Sequence, residues 1–447
     1  MRKQSKIIKF ASVIVLSLAL VSCAKNIPVT PITGVAAFTG RALIGVSDAD
    51  MINTAYADGK LGNRSGLKDT MTFVPLPLNP ENSNMQTIST PNSVISWPQI
   101  VDVSKDGAYA FVVETKGTPP QETKQFDDVY SGFPDGSLLT VVSLRNKLQV
   151  TDQKKIGLNP SAIMVSPNKN LLAITTDGDG RELCLVGFAN GQVENIYPFH
   201  IPTYKNEHFR GGARSVAWHP SGNYIALNIG DREVAFYKIV YNEKGVPQKI
   251  EPFGNKITTG KYLTMGSFTP DGNFFLISDV AWGDSQLSYL FNPRGTLTSI
   301  AFGEKTKYHC IVSRKEVGYS PEGFAMSPDG KLVVTVNINR TYLPSIFPAT
   351  VWPYRERSSL TLLTFDRETG RIKVIAEYGF DGLLPENATF DASGKNLAVA
   401  IYHNREEKPR EGFIEFWNVT KKDNYALERT GYKIPCMRGI HDLVLVP

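Results

Sequence analysis

The stretch SPEGFAMSPDGKLVVTVN, residues 320–337, decides the fold. Apolar residues run up to a Ser-Pro-Asp-Gly turn, and a β-branched run returns from it. Asp-Gly supplies the positive φ that a tight hairpin needs, and β-branched or aromatic flanks suit strands. Five more segments share the pattern: WPQIVDVSKDGAYAFVVE (97–114), NPSAIMVSPNKNLLAITT (159–176), GARSVAWHPSGNYIALNI (212–229), YLTMGSFTPDGNFFLISD (262–279) and LPENATFDASGKNLAVAI (384–401). The turn-glycine position holds Gly107, Lys169, Gly222, Gly272, Gly330 and Gly394, in steps of 62, 53, 50, 58 and 64 residues. A repeat of that size, burying its apolar face only against its neighbours, has the period of a propeller blade with loop insertions.

Two more strand-like runs follow each hairpin, as in SSLTLLTFD (358–366) and RIKVIAEYG (371–379), joined by the turn Arg367–Gly370. Four strands per unit make a blade. The C-terminal HDLVLVP (441–447) matches the first strand of a repeat, while RALIGVS (41–47), DTMTFVPLP (69–77) and MQTIST (85–90) offer the strands it lacks. The expectation is an all-β, seven-bladed β-propeller over 41–447, closed where the C-terminal strand joins the N-terminal ones, leaving no long open edge.

The chain has 447 residues, with 42% hydrophobic, 20% charged and 10% aromatic residues, as in a soluble globular protein. Its formal charge is +5, but Arg2, Lys3, Lys6 and Lys9 supply four of those positives and residues 1–23 hold no acid, so the remainder is near +1. No basic stripe suggests nucleic acid. The apolar stretch Ala11–Val21 is too short to span a bilayer. It ends in Leu20-Val21-Ser22-Cys23, which resembles a bacterial lipobox. That resemblance implies a signal peptide over 1–23, lipidation of Cys23, a short tether over 24–40, and a place in the cell envelope held to the membrane by lipid. Ala24 after the cysteine leans towards outer-membrane sorting in bacteria that use that rule.

Cys184, Cys310 and Cys436 remain, an odd number with no zinc-site spacing. Cys184 lies in an apolar run that reads as core. A Cys310–Cys436 bridge is open in an oxidising compartment.

Eight residues before each turn glycine stand Gln99, Ser161, Arg214, Thr264, Glu322, Glu386 and His441, the last placed by aligning Pro447 with the proline of the turn. None is a large aliphatic residue, so one register forms a polar ring at the mouth of the central channel, where propellers bind ligands. An arginine, two carboxylates and a histidine can bind an anion, donate and accept protons, and activate water. They can equally pair with one another across a wet channel.

SPEGFAMSPDGKLVVTVN and GGARSVAWHPSGNYIALN, with TFDRETGRIKV, resemble the YVTN-repeat and lactonase-type seven-bladed propellers over most of residues 95–447. Some members of that superfamily hydrolyse or form lactones, and carry Arg, Glu and His at the channel mouth. The resemblance implies catalytic roles for Arg214, Glu322 and His441, with Gln99, Ser161, Thr264 and Glu386 as ligand contacts. Ser215 follows Arg214 where many relatives have histidine. Two functions are therefore carried forward: an envelope lipoprotein whose propeller binds a small molecule or protein, as a monomer without cofactor, and a hydrolase of a lactone, 6-phosphogluconolactonase-like.

Loops joining second and third strands add Asp177–Arg181, Asp279–Asp284, Asn337–Arg340 and His403–Arg405 to the same face, with Asn337, Arg340 and His403 as ligand contacts. Asp177 and Asp179 alternate as in a calcium loop, without the glutamate that completes one; no metal is expected. The insertion 115–136 reads as a mobile polar loop. The insertion 339–357 carries Tyr342, Phe347, Trp352 and Tyr354, which either offer an aromatic binding surface or pack as a lid. Gly-x-Ser-x-Gly, His-Glu-x-x-His, P-loop and Cys-x-x-Cys motifs are absent from the sequence.

Overall fold

The computed structural model describes residues 27–78, 84–202, 212–283, 290–349, 351–352, 354–404 and 410–446; the leader with Cys23, and also Asp284, Arg405 and Pro447, fall outside them. Among these residues the chain forms seven antiparallel sheets of four strands, one with a short fifth strand. Blade 1 combines the two ends of the chain: Ile440–Val446 innermost, then Ala42–Ser47, Thr70–Pro75 and Gln86–Ser89. Leu443 pairs with Gly45 and Val446 with Ala42, so closure is made by backbone hydrogen bonds between termini. Blades 2 to 7 follow in chain order, with innermost strands Val101–Val103, Ala162–Val165, Ala213–Trp218, Leu263–Phe268, Pro321–Met326 and Ala388–Phe390.

The repeated turn explains the repeat. In Thr269-Pro270-Asp271-Gly272, the Gly272 N–H donates to the Thr269 carbonyl at 2.8 Å and Thr269 Oγ1 donates to Asp271 Oδ1 at 2.6 Å. Ser327, Asp329 and Gly330 repeat both bonds at 2.8 and 2.7 Å. Proline presets φ at the second position, and glycine takes the left-handed backbone (φ 75° at Gly272, 70° at Gly330) that lets the second strand leave in register.

Burial falls from the axis outward. Leu332–Asn337, a second strand, is buried at every position because neighbouring blades cover both its faces. Gln149–Lys155, an outermost strand reading QVTDQKK, is largely exposed. Charged side chains there keep an open edge from pairing with other chains.

The hairpin turns define one face of the disc. The loops between second and third strands and between blades define the other, the mouth face. Three segments singled out in the sequence take their places here. The described part of the expected tether, 27–40, is laid against the blades: Val29 pairs with Gly379 of blade 6, Ile32 with Arg429 of blade 7, and Phe38 packs on Phe416 at 5.4 Å. Residues 115–136, expected to be a mobile loop, are docked. They contain the helical turn Val129–Gly132, capped by Asp128 accepting from the Tyr130 N–H at 3.2 Å, and bury Val129 and Phe133. In 339–357, Tyr342, Phe347 and Trp352 are buried and form a lid, so the exposed aromatic surface is not formed. Cys184, Cys310 and Cys436 are all free thiols; Cys310 and Cys436 sit in outer strands of blades 5 and 7 and do not bridge.

Candidate site at the lidded channel mouth

Each ring residue sits at or just before the start of an innermost strand, so strand register alone gathers seven side chains from seven blades around one axis. Over them lies a lid of apolar side chains drawn from four loops: Met51, Ala55 and Leu61; Val94 and Ile95; Val129 and Phe133; Ile338, Tyr342, Leu343, Phe347 and Trp352, with Leu384 and Tyr402 beneath. Beneath the lid, beside Arg214 and Glu322, remains a cavity of about 20 Å³, room for about one water.

Several ring members are fully engaged. Arg214 is stacked between Trp97 and Tyr262, its guanidinium 4.8 Å from each ring centroid, and it donates to Asp231 Oδ1 at 2.7 Å and to the Tyr262 hydroxyl at 3.1 Å. Its charge is neutralised within the protein. Gln99 accepts from Ser215 Oγ at 2.8 Å and donates to the Val216 carbonyl, tying blade 2 to blade 4. Thr264 Oγ1 donates to the Glu322 carbonyl at 2.6 Å, and Ser161 Oγ lies 2.9 Å from Thr175 Oγ1.

The other three differ. Glu322 is buried, and desolvation pushes its carboxyl up to about 8. Glu386 is 1% exposed, and neither carboxyl oxygen has a hydrogen-bond partner among the described residues. Burial first, then the neighbouring Glu322, Asp48 and Asp442, raise it well above the usual carboxylate range. His441 is fully buried, its Nδ1–H donates to the Gly439 carbonyl at 2.7 Å, and burial lowers its imidazole to about 4. Its Nε2 therefore carries a lone pair and has no partner among the described residues. Burial thus favours the protonated acids of Glu322 and Glu386, which can donate, and the neutral imidazole of His441, whose Nε2 can accept.

The three loop residues expected as ligand contacts are used within the fold. Asn337 donates to Ser359 Oγ and Thr361 Oγ1 at 3.1 and 3.0 Å, stitching the second and third strands of blade 6. Arg340 lies over Tyr319, 4.3 Å from the centroid, and donates to the Asn292 carbonyl at 3.0 Å. His403 bonds through Nδ1 to the next residue's carbonyl, and burial lowers its pKa. Asp177 accepts from Asn159 Nδ2 at 3.2 Å, a structural use of the calcium-like loop.

Sequence reasoning missed other groups. Asp442 accepts from the Ile100 and Val101 N–H groups at 2.8 and 3.1 Å and from Asn387 Nδ2, tying blade 1 to blades 2 and 7; desolvation raises it to about 6. Ser215, Asn387 and Asp442 all stand one place after a ring residue, where a polar residue in an apolar strand was the available signal. Asp48, Asp50 and Asp69 bring carboxylate oxygens within 4.8 Å of one another above blade 1, the donor set among the described residues that could hold a cation. It is already served by protein donors: Ala49, Asp50 and Val94 N–H groups reach it at 3.0, 2.8 and 2.8 Å, and Arg64 lies 3.7 Å from Asp50.

The fold recurs among solved structures. A periplasmic gluconolactonase of Pseudomonas aeruginosa aligns with a TM-score of 0.60 at 14% identity, covering 91% of this chain and 99% of that one. A candidate 6-phosphogluconolactonase of Bacteroides fragilis aligns at 0.58 and 13% identity, covering 91% and 98%. A second such protein, from Bacteroides uniformis, aligns at 0.56 and 14%, covering 91% and 99%. No family model and no curated protein matches the sequence. The likeness to lactonase-type seven-bladed propellers is thus one of fold, and the site must speak for the chemistry.

Proposed function

We propose that this chain is a bacterial envelope lipoprotein whose propeller binds a small, uncharged polar molecule at the channel mouth when the lid opens, the closed cavity holding about one water. One observation carries the reading: Glu386 and His441, from adjacent blades, bury three hydrogen-bonding atoms without partners. A buried unmet donor or acceptor costs about 1–3 kcal/mol, a cost that a ligand supplying complementary groups removes. The ligand is neutral because Arg214, the cation of the ring, is already paired with Asp231. The lipobox supports the anchor, and among the described residues no helix is long and apolar enough to cross a membrane.

Hydrolysis of an unphosphorylated lactone is the second reading, favoured by the fixed tautomer of His441. Its Nε2 would take a proton from water as the oxygen bonds to the lactone carbonyl, and Glu386 would donate its proton to the ring oxygen as the C–O bond breaks. An imidazole lowered to about 4 is a weak base, which places binding ahead of catalysis.

Thermal melting against paired neutral and phosphorylated sugars and lactones tests the proposal. Neutral members raise the melting temperature of the wild type and not of Glu386→Leu. Stabilisation by the phosphorylated members alone, or by none, would overturn it. Lactone turnover above that of His441→Ala would move the second reading to first place. Loss of membrane fractionation in Cys23→Ala tests the anchor.

A further inference from the structure

The first described residue of the chain lies on the mouth face. The Ile27 carbonyl accepts from Arg357 Nη1 at 3.1 Å, and the Thr30 N–H donates to the Gly379 carbonyl at 2.8 Å. Gly379 is at the mouth-face end of its strand, since its neighbour Phe380 pairs with Ser358, the first strand residue after the lid loop. Three residues separate Cys23 from Ile27, and four fully extended residue steps reach about 14 Å. A globular body of this length has a radius of gyration of about 22 Å. A tether shorter than the body's radius cannot let the propeller turn over, so the rim at blade 6 stays near whatever Cys23 is attached to.

That rim also exposes two large apolar side chains. Phe291, in the loop between the second and third strands of blade 5, is 49% exposed, and Ile346, in the corresponding loop of blade 6, is 56% exposed. The two loops pack together: Phe291 lies 6.2 Å from Trp352, Trp352 lies 5.0 Å from Phe347, and Ile346 precedes Phe347 in the chain. Nearby charges are balanced, with Arg355 paired to Glu356 and Arg357 facing Asp381 at 3.7 Å. Exposed phenylalanine and isoleucine beside paired charges suit the headgroup–acyl boundary of a bilayer. Tethering makes a weak contact of this kind persist, because the second event is intramolecular.

We infer that the mouth-face rim of blades 5 and 6 rests on the membrane through Phe291 and Ile346. The inference depends on the lipid anchor proposed above. Lipidated full-length protein with Cys310→Ser, in vesicles of phosphatidylethanolamine and phosphatidylglycerol, tests it. One sample carries an environment-sensitive fluorophore on Ile346→Cys, the other on Lys105→Cys at the exposed turn of blade 2 on the opposite face. Cys184 and Cys436 are buried and stay unlabelled. Doxyl-labelled lipids should quench the probe at 346 several-fold more than that at 105, in proteins that melt as the wild type does. Equal quenching, or more at 105, overturns the inference. Mass spectrometry separates the two failures. An unmodified Cys23 overturns the anchor and the inference together, whereas a lipidated Cys23 with unquenched 346 overturns the orientation alone.

Discussion

The two faces of the disc follow different rules. On the turn face, a few residues close together in sequence satisfy one another: Ser327 Oγ holds Asp329 and accepts from the Leu332 N–H at 3.0 Å, and the same small network recurs from blade to blade. On the mouth face, contacts join distant segments. Tyr402 donates to the Met51 carbonyl, Asn53 to the Thr341 carbonyl, and Arg438 to Ala49, spanning 351, 288 and 389 residues. The turn face is polar and closes its hydrogen bonds within its own turns, Ser166 Oγ of blade 3 excepted, while the mouth face buries the Glu386 carboxyl and a His441 nitrogen that lack partners among the described residues. Local networks build the blades, and the long-range assembly over the channel encloses the chemistry.

Substitutions at the two ends of this contrast should separate folding from site integrity. Ending the chain before Ile440 deletes the innermost strand of blade 1, with Ile440, Leu443 and Val446 all buried, and should abolish cooperative folding; a sharp melt in the truncated chain would break the closure account. Leu362→Ala, at a fully buried position between blades 6 and 7, should cost roughly 2–5 kcal/mol and lower the global melt. Trp352→Ala removes a comparable side chain from the lid. It should instead speed hydrogen exchange in 440–446 and 384–390 with little change in the blades, because it opens the cover rather than the ring. Equal loss of protection throughout would show that lid and blades are one cooperative unit.

How much of this the sequence shows follows the same line. The hairpins were legible because the requirement for positive φ, and the Pro-Asp-Gly chemistry that meets it, lie within four residues. The ring was legible because register is counted from those turns. The structural bonds of Asn337 and Arg340 were not legible because nothing local says that Asn337 bonds Ser359 and Thr361 or that Arg340 stacks on Tyr319. The lid and the Asp48–Asp50–Asp69 group were invisible for a related reason: they exist only once loops from several blades meet.

Smaller effects sharpen the comparison further. Folded-state values of about 8 for Glu322 and raised values for Glu386 lie above those of the unfolded chain, so the native state holds these protons more tightly. Their contribution is full below about pH 4.5 and is lost as pH rises towards 8, by up to about 1.4 kcal/mol per pH unit for each group. His441, lowered to about 4, works in the opposite sense, adding stability as pH rises from 4 to 6.5. The net result should be a decline through pH 5–6.5 that steepens above pH 6.5, flattened in Glu322→Gln; denaturant midpoints across pH 5–8.5 would show it. On the turn face, Gly330→Ala should cost about 1–2 kcal/mol, because φ 70° forces a left-handed backbone on alanine and its Cβ would meet Pro270 at 3.1 Å. That variant should leave ligand-induced stabilisation intact.

Calorimetric titration of the wild type and Glu386→Leu with a neutral sugar lactone that stabilises the wild type tests the central claim most directly. The account expects saturable binding that weakens at least tenfold in the variant, with no measurable binding of the phosphorylated counterpart. Unchanged affinity in Glu386→Leu, or tighter binding of the phosphorylated form, would contradict a neutral-ligand site built around Glu386 and His441.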